Sequence, residues 1–285
     1  MISIQTNVAA LYGLQNLNTN QANEQNTIEE MTSGYRINSA ADDPAGVAMA
    51  NQLRNAGAVL TQGVSNGNNA VGQLQIIDGG LSNISQILDR LQTLATEGSS
   101  STFTGNFTTL ATEFANDVTE ISRQAQNVGM NTGGDFNAAL SVYVGGGLGN
   151  SNGASIGVAV ETIALSGTSM AVDAAGLGLS AYTAVSNLTN SANFSAAISA
   201  IAAAVTSLGQ VQGAVGAGIN QLNFAINLAQ SQITNDSAAQ STIRDANMAQ
   251  AATNLSQQQV LMQSAMAALA QANQIPQAVL KLLQG

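Results

Sequence analysis

The stretch MAQAATNLSQQQVLMQSAMAAL, residues 248–269, decides the fold of this chain. Its large apolar residues return every seven positions: Met248, Leu255, Met262 and Leu269. Met266 fills the intermediate turn. A seven-residue apolar repeat is typical of a long helix that packs against another helix along a narrow seam. The sequence therefore predicts a long terminal helix that needs a helical partner.

The first residues of the chain provide a matching apolar stripe. Along residues 1–33, apolar side chains recur at steps of three and four: Ile4, Val8, Leu11, Leu14 and Leu17. Neither stripe is wide enough to stabilise an isolated helix. The two ends of the chain are therefore predicted to pack with each other or with copies of themselves. The intervening residues then leave a helical stem and return to it.

The composition excludes several classes of function. The chain has no histidine and no cysteine, which excludes Ser-His and Cys-His nucleophile pairs, disulfides and the usual zinc sites. Its 6 basic and 16 acidic residues give a net charge of −10, whereas nucleic-acid binding requires a basic patch. We therefore predict that the chain is not an enzyme, holds no cofactor or metal, and does not bind nucleic acid.

The low charge fraction points towards self-association. Charged residues make up 8% of the chain, less than the surface of a monomer normally carries. An uncharged helical surface is compatible with burial against identical neighbours. An intramolecular bundle is the alternative that periodicity leaves open.

The N-terminus lacks the basic segment and apolar core of a signal peptide. No apolar run approaches the ~20 residues of a membrane span. We therefore predict no membrane partner, and either a cytoplasmic protein or one exported without a cleaved signal.

The apolar periodicity predicts further long helices. One runs over residues 47–97, with leucines seven apart, a second follows from Phe107, and a third covers about residues 194–235. Short alternating runs at residues 140–144, 156–163 and 170–172 predict a small β-rich excursion. A joint is expected near residues 237–245, and Pro276 is expected to kink or end the last helix.

The segment SGYRINSAADDPAG, residues 33–46, separates the first two helices. Gly34 can end a helix in the left-handed conformation, and acidic residues before a proline are typical of a helix start. Arg36 is predicted to pair with a carboxylate or to cap backbone carbonyls. A plain loop is the alternative. As a connector, the segment would act through the following residues: Arg36, Asn38, Asp42, Asp43 and Pro44.

Three stretches resemble bacterial flagellins. They are SGYRINSAADDPAGVAMANQL at residues 33–53, ALAQANQIPQAVLKLL at residues 268–283, and the start of the chain, where Ile4 and Asn7 precede two alanines. The resemblance covers roughly residues 1–135 and 195–285. It implies a mainly α fold of long antiparallel helices in coiled-coil bundles, with a hairpin-like path that brings both termini into one inner domain.

The resemblance also implies nested domains. Residues 1–45 and 246–285 would form the inner coiled-coil domain. Residues 46–135 and 191–245 would form an outer helical rod, and residues 136–190 a short β-rich surface segment. The function implied is a structural subunit that self-assembles into the helical flagellar filament for swimming. A hook–filament junction protein is the alternative, and the QANQIPQAVLKLL tail favours a flagellin.

The partners implied are further copies of the chain, the flagellar cap and hook-junction proteins, an export chaperone on the C-terminal helix, and the type III export apparatus. The location implied is the extracellular flagellum, reached without a cleaved signal peptide. The stretch DRLQTLATEG, residues 89–98, also resembles a helix that a Toll-like innate immune receptor reads in the family. The matching contacts are Arg90, Leu94 and Glu113.

Overall fold

The computed structural model describes residues 7–102, 105–136, 139–146, 158–163 and 170–284. Within them the chain forms five α-helices and two strands. The elements are α1 (Val8–Ser33), α2 (Pro44–Ser99), α3 (Phe107–Asn127), β1 (Leu140–Gly146), β2 (Val158–Ile163), α4 (Ser191–Arg244) and α5 (Met248–Gln284). The mainly helical fold is therefore confirmed.

The contacts divide the chain into two compact units. The terminal unit contains Met1–Asn55 and Asn235–Gly285, and the central unit contains Ala56–Thr234. In the terminal unit, α1 packs along α5. The finer assignment of inner domain, outer rod and surface segment stays a prediction.

The core of the central unit is built from one face each of α2, α3 and α4. The predicted heptad leucines of α2 are buried: Leu53 in the terminal unit, and Leu60, Leu74, Leu81 and Leu88 in the central unit. Gly67 occupies the missing heptad position, and a Cβ there would lie 2.8 Å from Ile226 of α4. The repeat therefore continues through a glycine because α4 approaches α2 closely at that point.

The two strands form an antiparallel hairpin that packs against the helical core. Val142 and Val144 are buried while Tyr143 between them is 40% exposed, as the alternation of a half-buried strand predicts. The prediction of a strand at residues 170–172 is wrong. Asp173 accepts hydrogen bonds from the backbone N–H groups of Thr132 and Gly176, so the chain turns immediately after this run.

Two helix ends differ from those predicted. Helix α4 continues to Arg244, so the joint is confined to residues 245–247. The apolar spacing fades after Ile233, but residues 237–244 contain no glycine or proline to interrupt the helix. Helix α5 continues past Pro276 to Gln284, so the expectation that the helix ends at this proline is wrong.

Candidate functional site: the paired terminal helices

The face that α1 turns towards α5 is made mainly of small and polar residues. Ala10, Gly13 and Leu17 are partly buried there, and Thr27 is the buried polar residue of the pair. A Cβ on Gly13 would lie 3.0 Å from the Leu269 side chain. The absence of a side chain at Gly13 therefore lets the two helices approach closely.

Asn7 fixes one end of this helix pair. Its side-chain oxygen accepts a hydrogen bond from the Ala10 N–H and caps α1. Its side-chain nitrogen donates to the carbonyl oxygen of Ala272 at 2.8 Å. One side chain therefore sets both the start of α1 and its alignment with α5.

The two predicted stripes occupy different places in the pair. Leu255, Met262 and Leu269 of α5 are half-buried. Val8, Leu11, Leu14 and Met266 are 45–56% exposed, and Ile4 lies outside the described residues. Part of α5's seam thus packs within the subunit, whereas Val8, Leu11 and Leu14 of the α1 stripe face outward and Leu17 is partly buried.

Further large apolar residues of α5 face solvent. Val260 is 61% exposed, and Leu261 and Met248 are nearly half exposed. The exposed apolar residues of the two helices are Val8, Leu11, Leu14, Met248, Val260, Leu261 and Met266, and we refer to this set as the outer apolar surface of the α1/α5 pair. Clusters of exposed apolar side chains are typical of interaction sites.

The segment between α1 and α2 is held by the segment between α4 and α5. Gly34 ends α1 with φ 75°, and its N–H donates to the Glu30 carbonyl, as predicted for a left-handed cap. Beyond it, Tyr35 pairs with Asp245 in a short antiparallel bridge. The backbone N–H of Arg36 donates to the Arg244 carbonyl oxygen at 2.7 Å.

Two arginines reinforce this bridge from opposite sides. The Arg36 guanidinium donates to the Ile243 carbonyl oxygen at 2.8 Å, and Arg244 Nε donates to the Ile37 carbonyl oxygen at 3.2 Å. The Arg244 guanidinium also lies 4.3 Å from the centre of the Tyr35 ring, a cation–π contact. Of the two predicted partners for Arg36, the structure has the backbone carbonyl.

Arg244 was missed at the sequence level. It is the single basic residue between Arg123 and Lys281, and that isolation is a signal that could have identified it. We call residues 34–37 and 243–246, held by these contacts, the arginine clasp.

The remaining connector residues shape the turn into α2. Asp42 Oδ2 accepts hydrogen bonds from Ser39 N–H, Asn38 N–H and the Ser39 hydroxyl. The Ser39 N–H bond is the main cause that lowers the pKa of Asp42 below its ordinary value. Asp43 accepts from the Gly46 N–H at 3.0 Å, and α2 begins at Pro44.

A charged cluster lies on the surface of α2 and α3. Arg90 and Glu113 form a short ion pair between exposed side chains, and the Glu113 hydrogen bond raises the pKa of Arg90. Partial burial, and then the Glu113 charge, raise the pKa of Asp117 nearby. Leu94 is 3% exposed, so its side chain lies in the core and is not accessible beside Arg90.

The described residues contain no group of three or more histidine, cysteine or acidic side chains placed to hold a metal ion. Helix α4 contains an 18-residue window with a mean hydropathy of 1.5, apolar enough by length and composition to cross a membrane. The sequence expectation concerned unbroken apolar runs, and α4 contains none of that length. Alanine and the larger aliphatic residues raise the mean hydropathy of this window, and 33% of the window is buried inside the protein.

Comparison with known proteins matches both ends of the chain. The bacterial flagellin N-terminal helical region matches residues 4–140, and the C-terminal helical region matches residues 198–283. The chain is 31% identical to a flagellin of Halalkalibacterium halodurans, 29% to a flagellin of Bacillus subtilis and 27% to flagellin FlaB2 of Treponema pallidum, each over 99% of both chains. The chain therefore belongs to the bacterial flagellin family.

Proposed function

We propose that this chain is a structural subunit that self-assembles into the helical bacterial flagellar filament and serves swimming motility. The observation that carries the proposal is the outer apolar surface of the α1/α5 pair. It presents at least seven large apolar side chains to solvent on helices that belong to the flagellin terminal regions. Neighbouring copies of the chain are its proposed occupants.

The energetics favour this use of the surface. Fully burying one Val, Leu or Met side chain stabilises an association by roughly 1.5–3 kcal/mol, and a helical polymer repeats each contact in every subunit. The residues of the outer apolar surface are all uncharged. Neighbouring copies can therefore pack on them without burying an unpaired charge. The flagellar role is structural, and no chemical step is assigned to any residue.

Deleting residues 268–285 tests the proposal. The truncated chain is expected to remain soluble and to form no filaments by electron microscopy, because α1 loses its contacts with Leu269 and Ala272 and the pair no longer holds the outer apolar surface in place. The full chain under the same conditions is the control. Filaments of normal length from the truncated chain would contradict the proposal.

A hook–filament junction protein was the alternative function. The relatives named above are flagellins matched from end to end, and no observation favours the junction protein.

The finer partners rest on family resemblance. They are the flagellar cap and hook-junction proteins at the filament ends, the type III apparatus that exports the chain uncleaved, and an export chaperone on α5. The half-buried seam of α5 supports the last of these, since a chaperone can replace α1 on Leu255, Met262 and Leu269. Co-purification of the full chain with the chaperone, and its loss after deletion of residues 268–285, tests this partner.

Recognition by a Toll-like innate immune receptor is a further proposal. Arg90 and Glu113 support it because their paired side chains are both exposed, but a direct contact by the buried Leu94 does not fit. Substitution Arg90→Ala is expected to reduce receptor signalling in reporter cells treated with depolymerised subunits. Arg123→Ala, which breaks the separate pair with Glu120, is the matched control.

A further inference from the structure

The central unit has very few basic residues to pair with its carboxylates. Between positions 56 and 234 the chain contains two of them, Arg90 and Arg123. Each forms an ion pair with a glutamate of α3: Arg90 with Glu113, and Arg123 with Glu120. Both basic side chains of the unit are therefore already engaged.

Asp117 lies between these two ion pairs on α3. It comes four residues after Glu113 and three before Glu120, spacings that place the three carboxylates on the same side of the helix. Its Oδ2 atom is buried and has no hydrogen-bond partner among the residues that the structure describes. Leaving a buried polar atom unpaired costs free energy, and the cost is larger for a charged group. The folded chain therefore disfavours the ionised form of Asp117.

The other elements packed against α3 supply no further positive charge. On α2, Glu97 acts on Arg90 and adds negative charge to the same surface. Helix α4 contains no acidic or basic residue between positions 191 and 235. The segment after the β hairpin, which contacts α3, contributes the phenol of Tyr182 and the carboxylate of Asp173. Neutralisation of Asp117 by a proton is the remaining way to remove its charge.

We propose that Asp117 is a proton-uptake site that stabilises the central unit as the pH falls. Partial burial, followed by the charge of Glu113, raises the pKa of Asp117, while Arg90 acts in the opposite direction. Because folding raises this pKa, the gain in stability begins as the pH falls through the folded-state pKa and is complete below the unfolded-state pKa. The site acts within one subunit, so the proposal does not rest on the proposed function.

The carboxyl group can be observed directly by NMR. The full chain is prepared with ¹³C at the side-chain carboxyl of aspartate, and the Asp117 resonance is identified by its loss in Asp117→Asn. We expect this resonance to titrate at a higher pH than that of the exposed Asp89 of α2. A midpoint equal to or below that of Asp89 would overturn the proposal.

The substitution Asp117→Asn tests the effect on stability, because asparagine has nearly the size of the protonated side chain and no charge. In urea unfolding of the full-chain monomer at neutral pH, we expect this variant to unfold at a higher urea concentration than the wild type. The difference should shrink as the pH falls, since the wild type then takes up its proton. Asp89→Asn is the control and should show no such pH-dependent advantage. A lower midpoint for Asp117→Asn at neutral pH, or a difference that does not vary with pH, would refute the site.

A positive charge introduced beside Asp117 tests its position between the ion pairs. Counted from the Arg90–Glu113 pair, four residues back along α2 and four residues forward along α3 lead to Gln86 and Asp117. Gln86 is exposed, so Gln86→Arg is expected to leave the fold intact and to move the Asp117 NMR midpoint to lower pH. Gln73→Arg adds the same charge to an exposed position further along α2 and should leave the midpoint unchanged. Equal midpoints in the two variants would show that Asp117 does not face α2 at this level and would overturn the proposal.

Discussion

The Arg36 guanidinium reaches the carbonyl oxygen of Ile243, 207 positions further along the chain, at 2.8 Å. In turn, Arg244 Nε donates a hydrogen bond to the Ile37 carbonyl oxygen at 3.2 Å. Each arginine therefore satisfies a backbone carbonyl on the opposite segment, and the two connectors of the terminal unit are fixed to each other. A plain loop between α1 and α2 would not require such a reciprocal pair.

Substitution Arg36→Ala is expected to lower the stability of the terminal unit by about 1 kcal/mol, the usual contribution of one hydrogen bond. Thermal unfolding of the monomer and thermal disassembly of filaments both measure the effect. Arg54→Ala removes the same charge from an exposed position of the same unit and is the control. Unchanged melting and unchanged motility in the Arg36 variant would reject an anchoring role for this residue.

Aspartate substitutions at Leu269 and at Leu11 are expected to have different effects on monomer helicity and on polymerisation. Leu269 packs at Gly13 inside the α1/α5 pair, so Leu269→Asp should reduce monomer helicity as well as polymerisation. Leu11 is 56% exposed, so Leu11→Asp should leave monomer helicity intact and abolish filaments. Burying an unpaired charge costs several kcal/mol.

Circular dichroism of the monomer measures helicity, and sedimentation of the polymer measures filament formation. Heat-stable filaments from Leu11→Asp would show that the α1 stripe is not a contact between copies. Normal monomer helicity in Leu269→Asp would show that the seam does not hold α5 to α1.

Periodicity predicted the core faces of the long helices well. Leu74, Leu81 and Leu88 of α2 are each fully buried, because a strict repeat places large apolar residues on one side of a helix. It was less reliable where small residues form the contact. In α4, Val205 follows the apolar spacing but is 47% exposed, and its neighbour Ala204 is buried.

The candidate site was only partly predictable. The sequence identified two apolar stripes, but periodicity alone could not show that Leu11 faces outward while Leu269 packs inward. The partner of Arg36 depends on two segments that meet only in the folded chain, so local sequence left a carboxylate and a carbonyl as alternatives. Leu94 was matched as a receptor contact from its motif, and the burial of its side chain could not be read from that motif.

The connector is expected to weaken in acid. Hydrogen bonds to the carboxylate hold the pKa of Asp42 below its ordinary value, so the folded state favours the ionised form. The stabilisation is present above the unfolded-state pKa and is lost as the pH falls through the lowered pKa. Asp42→Asn should therefore reduce the stability at neutral pH. It should also make the melting temperature fall less steeply as the pH decreases. A melting temperature that falls as steeply in acid as that of the wild type would contradict this role.

The β hairpin depends on a glycine in α2. A Cβ at Gly63 would overlap the backbone carbonyl of Val144, so Gly63→Ala should displace β1 and destabilise the central unit by about 1–3 kcal/mol. Gly57 of the same helix has open space around it, so Gly57→Ala should instead stabilise the helix by up to about 1 kcal/mol. Urea unfolding of both variants measures the difference. Equal effects would show that the hairpin can shift at no cost.

The hydrogen bond from Asn7 to Ala272 joins residues 265 positions apart. Chains emerge from the ribosome amino end first, at ~5–20 residues per second, so α1 is completed long before its partner exists. During that interval the face of α1 that packs on α5 has no native neighbour, and the closing of so long a loop delays the pairing further. The terminal unit is therefore the last part of the subunit able to fold. The subunit cannot complete its fold until α5 has been synthesised.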